Sequence, residues 1–119
     1  MQNYKELKVW QKAHEFVLHV YVISQSFPKT EIFALTNQLR RAAVSIAANI
    51  AEGCGKRSQK DLAHFLNISL GSSNECEYYL ILAKDLDYID EKRYSELTNT
   101  VNRIKAMLIN LLLKVRTEK

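Results

Sequence analysis

One stretch of the chain, QLRRAAVSIAANIAEGCGKR at residues 38–57, carries polar side chains that could do chemistry. Arg41, Asn49 and Glu52 stand there among alanines and isoleucines, as substrate-binding or catalytic groups would. At about 100° per residue, these three and Ser45 fall on one narrow stripe of a helix. Because a helix rises about 1.5 Å per residue, Arg41 and Glu52 are about 16 Å apart along the axis, too far for one catalytic cluster.

The flanks of this stripe are small and apolar, which leaves two interpretations open. A helix at the surface usually carries a wide polar face. A narrow stripe fits a central helix that shows only this edge to water, and it fits equally a helix whose outer side is covered by another copy of the chain. Glu75 could pair with Arg40 or Arg41 at a similar height, within the bundle or between copies. Under the second interpretation, we expect a subunit interface that contains Arg41, Ser45, Ala48, Asn49, Glu52 and Glu75.

Residue types that make enzyme sites in helical bundles occur here without their usual partners. Di-iron bundles need two Glu-x-x-His motifs and two further glutamates, whereas this chain has one related pattern, Asp61 to His64, whose aspartate is explained as a helix cap. His14 and His19 are five residues apart, which does not place them on one helix face. The glycines within residues 53–56 lack the preceding strand and the spacing of a phosphate-binding loop. We therefore predict no catalytic residues, no metal and no cofactor, and hence no enzyme.

The elements that position these residues are predicted to be helices of a single domain over residues 1–119. The chain is 47% hydrophobic, and one proline and three glycines leave too few turns for a many-stranded sheet. It has no apolar run near the roughly 18 residues of a membrane span, and its first ten residues do not resemble a signal peptide. Cys54 and Cys76 lack the spacing of a zinc or redox pair, so we expect a cytoplasmic protein with two reduced core thiols.

Apolar periodicity predicts four helices, at about residues 5–27, 31–54, 58–87 and 90–116. Pro28 is expected to end the first helix, because the residue before a proline leaves helical geometry. Short links between long helices favour an all-α fold, an antiparallel up-down-up-down four-helix bundle. The expected inward residues include Phe16, Val20, Leu39, Ile46, Leu66, Cys76, Leu80, Leu86, Val101, Leu108, Leu111 and Val115.

Capping residues and glycines refine this prediction. Ser58 and Asp90 are expected to cap the third and fourth helices, and Gly53 and Gly55 to stop the second. Gly71 lies among serines in the middle of the third helix, a belt of small residues that predicts close approach of a neighbouring helix.

Charge is expected to separate along the bundle. In an up-down bundle, the first and third helices begin at the end where the second and fourth finish. Nine basic and four acidic side chains fall there, a net +5, and four basic and six acidic ones fall at the other end, a net −2. A basic end attracts phosphate backbones without reading bases. The nucleic-acid-binding residues predicted on this basic rim are Lys5, Lys8, Lys12, Lys56, Arg57, Lys60, Lys114 and Arg116.

The alternative is that these lysines complement helix dipoles and keep the protein in solution. A monomer with a net charge of +4 favours this alternative. A ring favours nucleic-acid binding, because every basic end then faces the same way, and a pentamer would carry about 25 net positive charges on one rim. Few aromatic residues lie near this end, so we expect no base-specific recognition.

Several motifs resemble one protein family. They are QLRRAAVSIAANIAEGCGKRS, the earlier LKVWQKA, the FP dipeptide before the second helix, and FLNISLGSSNECE. Together they are similar to the bacterial four-helix-bundle proteins encoded in 23S rRNA intervening sequences. Ala47 stands where family members often have proline, a departure that removes a helix kink, and LNIS stands where alanine commonly follows isoleucine.

The resemblance implies a bundle that forms homopentameric rings and has no known enzymatic activity. A distant relative is an accessory of retroelement reverse transcriptases and binds nucleic acid, which makes contact with RNA or DNA plausible here. We therefore expect a non-enzymatic, homo-oligomeric scaffold or accessory that binds RNA or DNA non-specifically through the basic rim. The alternative function is a protein–protein interaction module that binds no nucleic acid; neither function involves a membrane.

Overall fold

The computed structural model describes residues 3–117, which contain four α-helices and no β-strand. Short 3-10 turns at Tyr4–Glu6 and Lys29–Glu31 precede the first two helices. The prediction of an all-helical chain is therefore confirmed. The helices are α1 (Lys8–Ser24), α2 (Leu35–Cys54), α3 (Gln59–Asp85) and α4 (Glu91–Thr117).

The helices pack as the four corners of a square. α1 and α3 each contact α2 and α4, so α2 and α4 stand at opposite corners. The Ser69 hydroxyl donates to the carbonyl of Ile46, while Gly53, further along α2, meets Leu62, earlier in α3, so these helices are antiparallel. In the same way, residues late in α3 contact residues early in α4, and residues early in α1 lie beside residues late in α2, so both of these pairs are antiparallel too. The result is an up-down-up-down bundle of 48 × 24 × 20 Å.

The core and the predicted caps follow the sequence pattern. Phe16, Ile46 and Leu108, one from each of three helices, are fully buried. Ser58 Oγ accepts the N–H of Asp61 at 3.0 Å, and Asp90 Oδ1 accepts the N–H of Arg93 at 2.8 Å. Each of these bonds satisfies one of the free donors at a helix N-terminus. Both predicted N-caps are therefore confirmed.

The connection from α1 to α2 is longer than predicted. α1 ends at Ser24 rather than at Phe27, and α2 begins at Leu35 rather than at residue 31. Between them lie a 3-10 turn at Lys29–Glu31 and Ala34, whose φ of −124° and ψ of −108° are not helical. The Glu31 carboxylate accepts hydrogen bonds from the Tyr88 hydroxyl at 2.7 Å and from the Leu35 N–H at 3.4 Å. Glu31 therefore lies outside α2, and its hydrogen bond links the α1–α2 connection to the α3–α4 connection.

Of the two glycines predicted to stop the second helix, only Gly55 does so, as the residue that directly follows α2. Gly53 lies inside α2, and a Cβ there would stand 3.0 Å from Leu62 Cδ1 and 3.1 Å from Phe65 Cβ, so its missing side chain permits close contact with α3. Gly55 follows α2 in a right-handed conformation, with φ of −83°. A Cβ on Gly71 would meet nothing within 4 Å. The belt of small residues around Gly71 does bring α3 close to α2, since the Ser69 hydroxyl reaches the Ile46 carbonyl at 2.7 Å, so that prediction is confirmed although Gly71 itself takes no part in the contact.

Two apolar positions were assigned to the wrong environment. Leu86 was expected inside, but it follows the end of α3 and is 44% exposed, because the chain turns at Asp87, whose φ is +63°. In α4, Leu112 is buried and Leu111 is half-buried. A helical apolar register advances by three or four residues at a time, and the step from Leu108 is four, to Leu112, rather than the predicted three.

Candidate nucleic-acid and assembly surfaces

Basic side chains gather at the end of the bundle where α1 and α3 begin and α2 and α4 finish. Lys60 of α3 and Arg116 of α4 line one shallow depression of about 350 Å³. At the same end, the ring of Tyr4 packs against Trp10, and both border a groove that reaches Ala51 of α2. Of the predicted basic residues, Lys12 and Lys56 are half-buried, and the exposed ones are Lys5, Lys8, Arg57, Lys60, Lys114 and Arg116.

Lys56 is held in place by two contacts. Its ammonium forms an ion pair with Glu52, one turn earlier, at 3.2 Å, and it lies 5.3 Å from the centre of the Phe65 ring. Because the carboxylate offsets its charge, Lys56 contributes less to the positive potential of this end than an exposed lysine does. Glu118 and Lys119 also counted toward the sequence-based charge of this end, and they lie outside the described residues.

The opposite end is closed by its two connections. The Tyr88 hydroxyl donates to Glu31, and its ring contacts Phe27 at 5.5 Å between centroids. The hydrogen bond to Glu31, with a smaller contribution from burial, raises the pKa of Tyr88. Lys84 lies 3.9 Å from Glu91, which offsets one of the few positive charges near this end. The separation of charge expected from the sequence therefore coincides with the two ends of the folded bundle.

The polar stripe of α2 is partly engaged within the chain. The hydroxyl oxygens of Ser45 and Ser72 are 2.7 Å apart, and the Asn49 amide donates to the carbonyl and the hydroxyl of Ser45 at 2.8 and 2.9 Å. Ser45 and Asn49 are half-buried, and Ser45 joins α2 to α3. The other residues of the predicted interface are exposed, and they are Arg41, Ala48, Glu52 and Glu75.

The two arginines at the start of the stripe have different environments. Arg40 Nε donates to Ser24 Oγ at 2.8 Å, and its guanidinium lies 4.8 Å from the centre of the Tyr21 ring, so Arg40 joins α2 to α1. Arg41 is exposed. The part of the chain that the structure describes contains no ion pair between Glu75 and either arginine. Pairing within the bundle is therefore not observed, and pairing between copies stays a prediction.

A groove between α1 and α2, beside the stripe, was missed by the sequence analysis. It has a volume of about 240 Å³ and is apolar on both sides. The Trp10 and His14 rings stack on its α1 side, 5.1 Å apart and nearly parallel. The signal in the sequence was the run of alanines on one flank of α2, whose side chains are too short to fill the space beside Trp10. The residues that line the groove are Tyr4, Trp10, His14, Val17, Val44, Ala47, Ala48 and Ala51.

The two cysteines are free thiols buried in the core. Burial raises the pKa of Cys54, and burial together with the nearby Glu75 carboxylate raises the pKa of Cys76 to about 12. A thiol is nucleophilic and binds metals as its thiolate, so a raised pKa makes both groups unreactive near neutral pH. These two residues behave as small apolar side chains.

The remaining candidate for a metal site is also accounted for by packing and capping. Asp61 donates its N–H to the Ser58 cap, and the His64 ring contacts the ring of Phe65. Within residues 3–117, no three His, Cys, Asp or Glu side chains come close enough together to hold a metal ion. Over the same residues, no helix combines the length and the apolar character that crossing a membrane requires.

A comparison with protein families gives one decisive match. The family model described as 23S rRNA-intervening sequence protein matches residues 5–110. The chain belongs to this family. The matched range includes α1, α2 and α3 and most of α4, so it contains the polar stripe and most of both the groove and the basic end. The family resemblance of the sequence motifs is confirmed.

One solved structure is similar over nearly the whole length of both chains. It is a protein of unknown function from the S23 ribosomal protein family of Bacteroides thetaiotaomicron VPI-5482. Its sequence is 30% identical, the match covers 87% of this chain and 94% of that one, and the TM-score is 0.80. Among curated proteins, none matches this chain. The comparisons establish the family and the fold, and a function must be inferred from the surfaces described above.

Proposed function

We propose that this 23S rRNA-intervening sequence protein is a non-enzymatic cytoplasmic scaffold or accessory that assembles into a ring and binds RNA or DNA through its basic rim. The observation that carries the proposal is the collection of exposed lysine and arginine side chains at one end of the bundle. The opposite end has six acidic and four basic side chains, a net charge of −2, so only the basic end attracts phosphate.

The depression between α3 and α4 is the place on the basic end where we expect a phosphate group to bind. Lys60 and Arg116 approach it from the two helices. A guanidinium binds phosphate oxygens in a planar, two-pronged manner, and an ammonium adds a point charge beside it. Such contacts neutralise phosphates without touching base edges, so the expected binding is independent of sequence and strongly dependent on salt.

Self-association multiplies the effect of a modest charge. In a ring of parallel bundles, all basic ends lie on one rim, and five copies place about 25 net positive charges there. Contacts on neighbouring copies then engage one strand together, which increases avidity without any new type of contact. A homopentamer is the assembly that we propose.

The test measures binding of labelled, mixed-sequence RNA and DNA by fluorescence anisotropy as salt is raised. We expect affinity to fall at least about tenfold between about 50 and about 200 mM salt. Lys8→Glu combined with Lys60→Glu should weaken binding by a similar factor at low salt, because it reverses two charges on the rim. The matched control is Lys29→Glu combined with Lys92→Glu, two exposed lysines near the opposite end; it should bind like the wild type.

Each result has a distinct meaning. Binding that is absent, or that does not change with salt, contradicts the nucleic-acid part of the proposal. Equal losses in the two double variants would show that total charge, and not the rim, governs binding. A ring that binds neither RNA nor DNA would favour the second candidate function, a protein–protein interaction module, which the exposed apolar groove beside α2 also supports.

A further inference from the structure

The groove between α1 and α2 is open on its outer side. Its α2 wall is made of Val44 and three alanines, whose side chains are too short to fill the space beside Trp10. Val44 is 40% exposed, and Ala48 is exposed as well. Apolar surface left in water is unfavourable by roughly 25 cal/mol per Å². The groove is therefore suited to receive large aliphatic side chains.

α4 presents two large aliphatic side chains to the outside. Ile109 is 45% exposed and Leu113 is 57% exposed, and their spacing of four residues places them on one side of the helix. Lys105, four residues before Ile109, lies 3.3 Å from the Glu77 carboxylate of α3. The stripe formed by Ile109 and Leu113 therefore borders α3, on the face that α3 and α4 share.

The groove and the apolar stripe of Ile109 and Leu113 lie on opposite faces of the bundle and at the same height along its axis. Because α1 and α3 each contact only α2 and α4, the α1–α2 face is opposite the α3–α4 face. The Ser69 hydroxyl donates to the Ile46 carbonyl, so Ser69 and Ile46 lie at the same height along the bundle axis. Ala63 and Val115 line one depression, so these two residues also share one height. Six residues separate Ala63 from Ser69 and Val115 from Ile109. Ile109 is therefore level with Ile46.

This register brings the stripe opposite the alanines. Ala48 lies about 3 Å further along α2 than Ile46, and Leu113 lies about 6 Å further along α4 than Ile109, at about 1.5 Å per residue. Both helices run in the same direction, since they stand at opposite corners of an up-down bundle. Ile109 and Leu113 thus lie within about 3 Å of the heights of Ala48 and Ala51, which line the groove.

We propose that Ile109 and Leu113 of one copy pack into the alanine-lined groove of the next copy. This inference rests on the self-association proposed above and assigns its contact surfaces. A projection and a hollow on opposite faces make a head-to-tail contact, and repeated head-to-tail contacts close into a ring when the rotation allows. Equal height keeps the axes of the copies parallel, so that all basic ends face one way.

Charged residues at the edges of the groove and of the Ile109–Leu113 stripe also favour a second copy as the partner. Arg116, nearly one turn beyond Leu113, is exposed and arrives close to the height of Glu52, which is exposed at the end of α2 and already pairs with Lys56 of its own chain. At the other edge, Arg41 of one copy comes within about 5 Å of the height of Glu77 in α3, a carboxylate that also pairs with Lys105 of its own chain. Opposite charges across an interface favour the correct register and disfavour others.

The first experiment removes the apolar stripe. Ile109→Lys combined with Leu113→Lys places two charges where the groove of the next copy would be, on side chains that are already exposed. The matched control is Val22→Lys combined with Leu86→Lys, at residues that are 59% and 44% exposed and lie toward the other end of the bundle. We expect the wild type and the control to share one multimeric native mass and the stripe variant to be a monomer with unchanged helical circular dichroism.

A second experiment reads the contact directly. Ala48→Cys combined with Ile109→Cys puts thiols on opposite faces of a bundle that is at least 20 Å across. A disulfide needs Cα atoms about 4.4 to 6.8 Å apart, so it cannot form within one copy. Cys54 and Cys76 are buried and do not compete. Mild oxidation should give a ladder of covalent multimers that ends at the ring size, while each single cysteine variant stops at a dimer.

The outcomes separate the contact from the assembly. A ladder together with a monomeric stripe variant supports the proposal. A multimeric wild type with no ladder and with an unchanged mass of the stripe variant overturns the contact but leaves self-association intact. A monomeric stripe variant without a ladder overturns the assignment of the groove as the receiving surface. A monomeric wild type overturns both the contact and the ring.

Discussion

The side of α2 that faces α3 and the side that faces α1 are both made of small residues, but the first is closely packed and the second is open. Toward α3, Gly53 lets Leu62 approach, and the Ser45–Ser72 contact of 2.7 Å closes the space. Toward α1, Ala48 and its neighbours leave a groove that no side chain of the same copy fills. Small residues thus permit close contact without guaranteeing it. Whether a flank closes depends on what the neighbouring helix brings to it, and in our proposal a second copy closes the open one.

The largest effect is expected at the closed flank, from Gly53→Val. The new Cβ would be 3.0 Å from Leu62 Cδ1, 3.1 Å from Phe65 Cβ and 3.3 Å from the Leu62 carbonyl oxygen, so the helices must separate. Overpacking of this kind lowers the free energy of unfolding by about 2 to 3 kcal/mol, measured by urea denaturation. The control is Gly71→Val, where a Cβ meets nothing within 4 Å. Equal losses at both glycines would contradict the distinction between the two sites.

A smaller loss is expected from Ser72→Ala, which removes the polar contact between α2 and α3. Ser72 is 5% exposed, and Ser45 keeps its bond from Asn49, so no buried group is left without a partner. The expected loss in unfolding free energy is about 1 kcal/mol. Ser95→Ala changes an exposed serine of α4 and should cost nothing. Identical denaturation midpoints for the two variants would show that the contact adds no stability.

The side of α2 that faces α1 should tolerate a larger side chain. Ala48→Leu places a larger side chain at the groove, and we expect the thermal stability of the bundle itself to change by no more than about 0.5 kcal/mol, the range of surface substitutions. If the groove receives the next copy, the same variant reduces the native mass of the assembly. A loss of folding stability as large as that of Gly53→Val would show that both flanks are closed.

The smallest effect concerns the thiols on the core side of α2 and α3. Because burial raises the pKa of both Cys54 and Cys76, the thiolate fraction of the folded protein at pH 8 is below that of a free cysteine, and reactivity should rise only at pH values above its usual range. Alkylation followed by mass spectrometry should be slow in the wild type and faster at Cys54 in Gly53→Val. Rapid labelling of the wild type at pH 8 would contradict the burial of these groups.

The fold could be predicted from the sequence where local signals determine it. Apolar periodicity located all four helices, and the Ser58 and Asp90 caps fixed the starts of two of them. The start of α2 at Leu35 could not be predicted from periodicity, and the connection before it contains Glu31, which is hydrogen-bonded to Tyr88, 57 residues away in the chain. Such a contact leaves no periodic signal.

The candidate surfaces were predictable to different extents. Antiparallel order alone places the basic residues at one end, so that prediction needed no side-chain positions. The groove depends on where Trp10 lies relative to α2, which periodicity does not determine. Ile109 and Leu113 carried a signal that was overlooked, since they fall outside the apolar register of α4 and had no assigned role in the core.

The most direct test of the account is the native mass of the purified wild-type protein. Assembly through opposite faces at equal height predicts one closed species, and a pentamer of 13.8 kDa chains has a mass of about 69 kDa. Native mass spectrometry of nuclease-treated protein should show that species without bound nucleic acid. A single species at 13.8 kDa, the mass of one chain, would contradict the ring and the rim that depends on it.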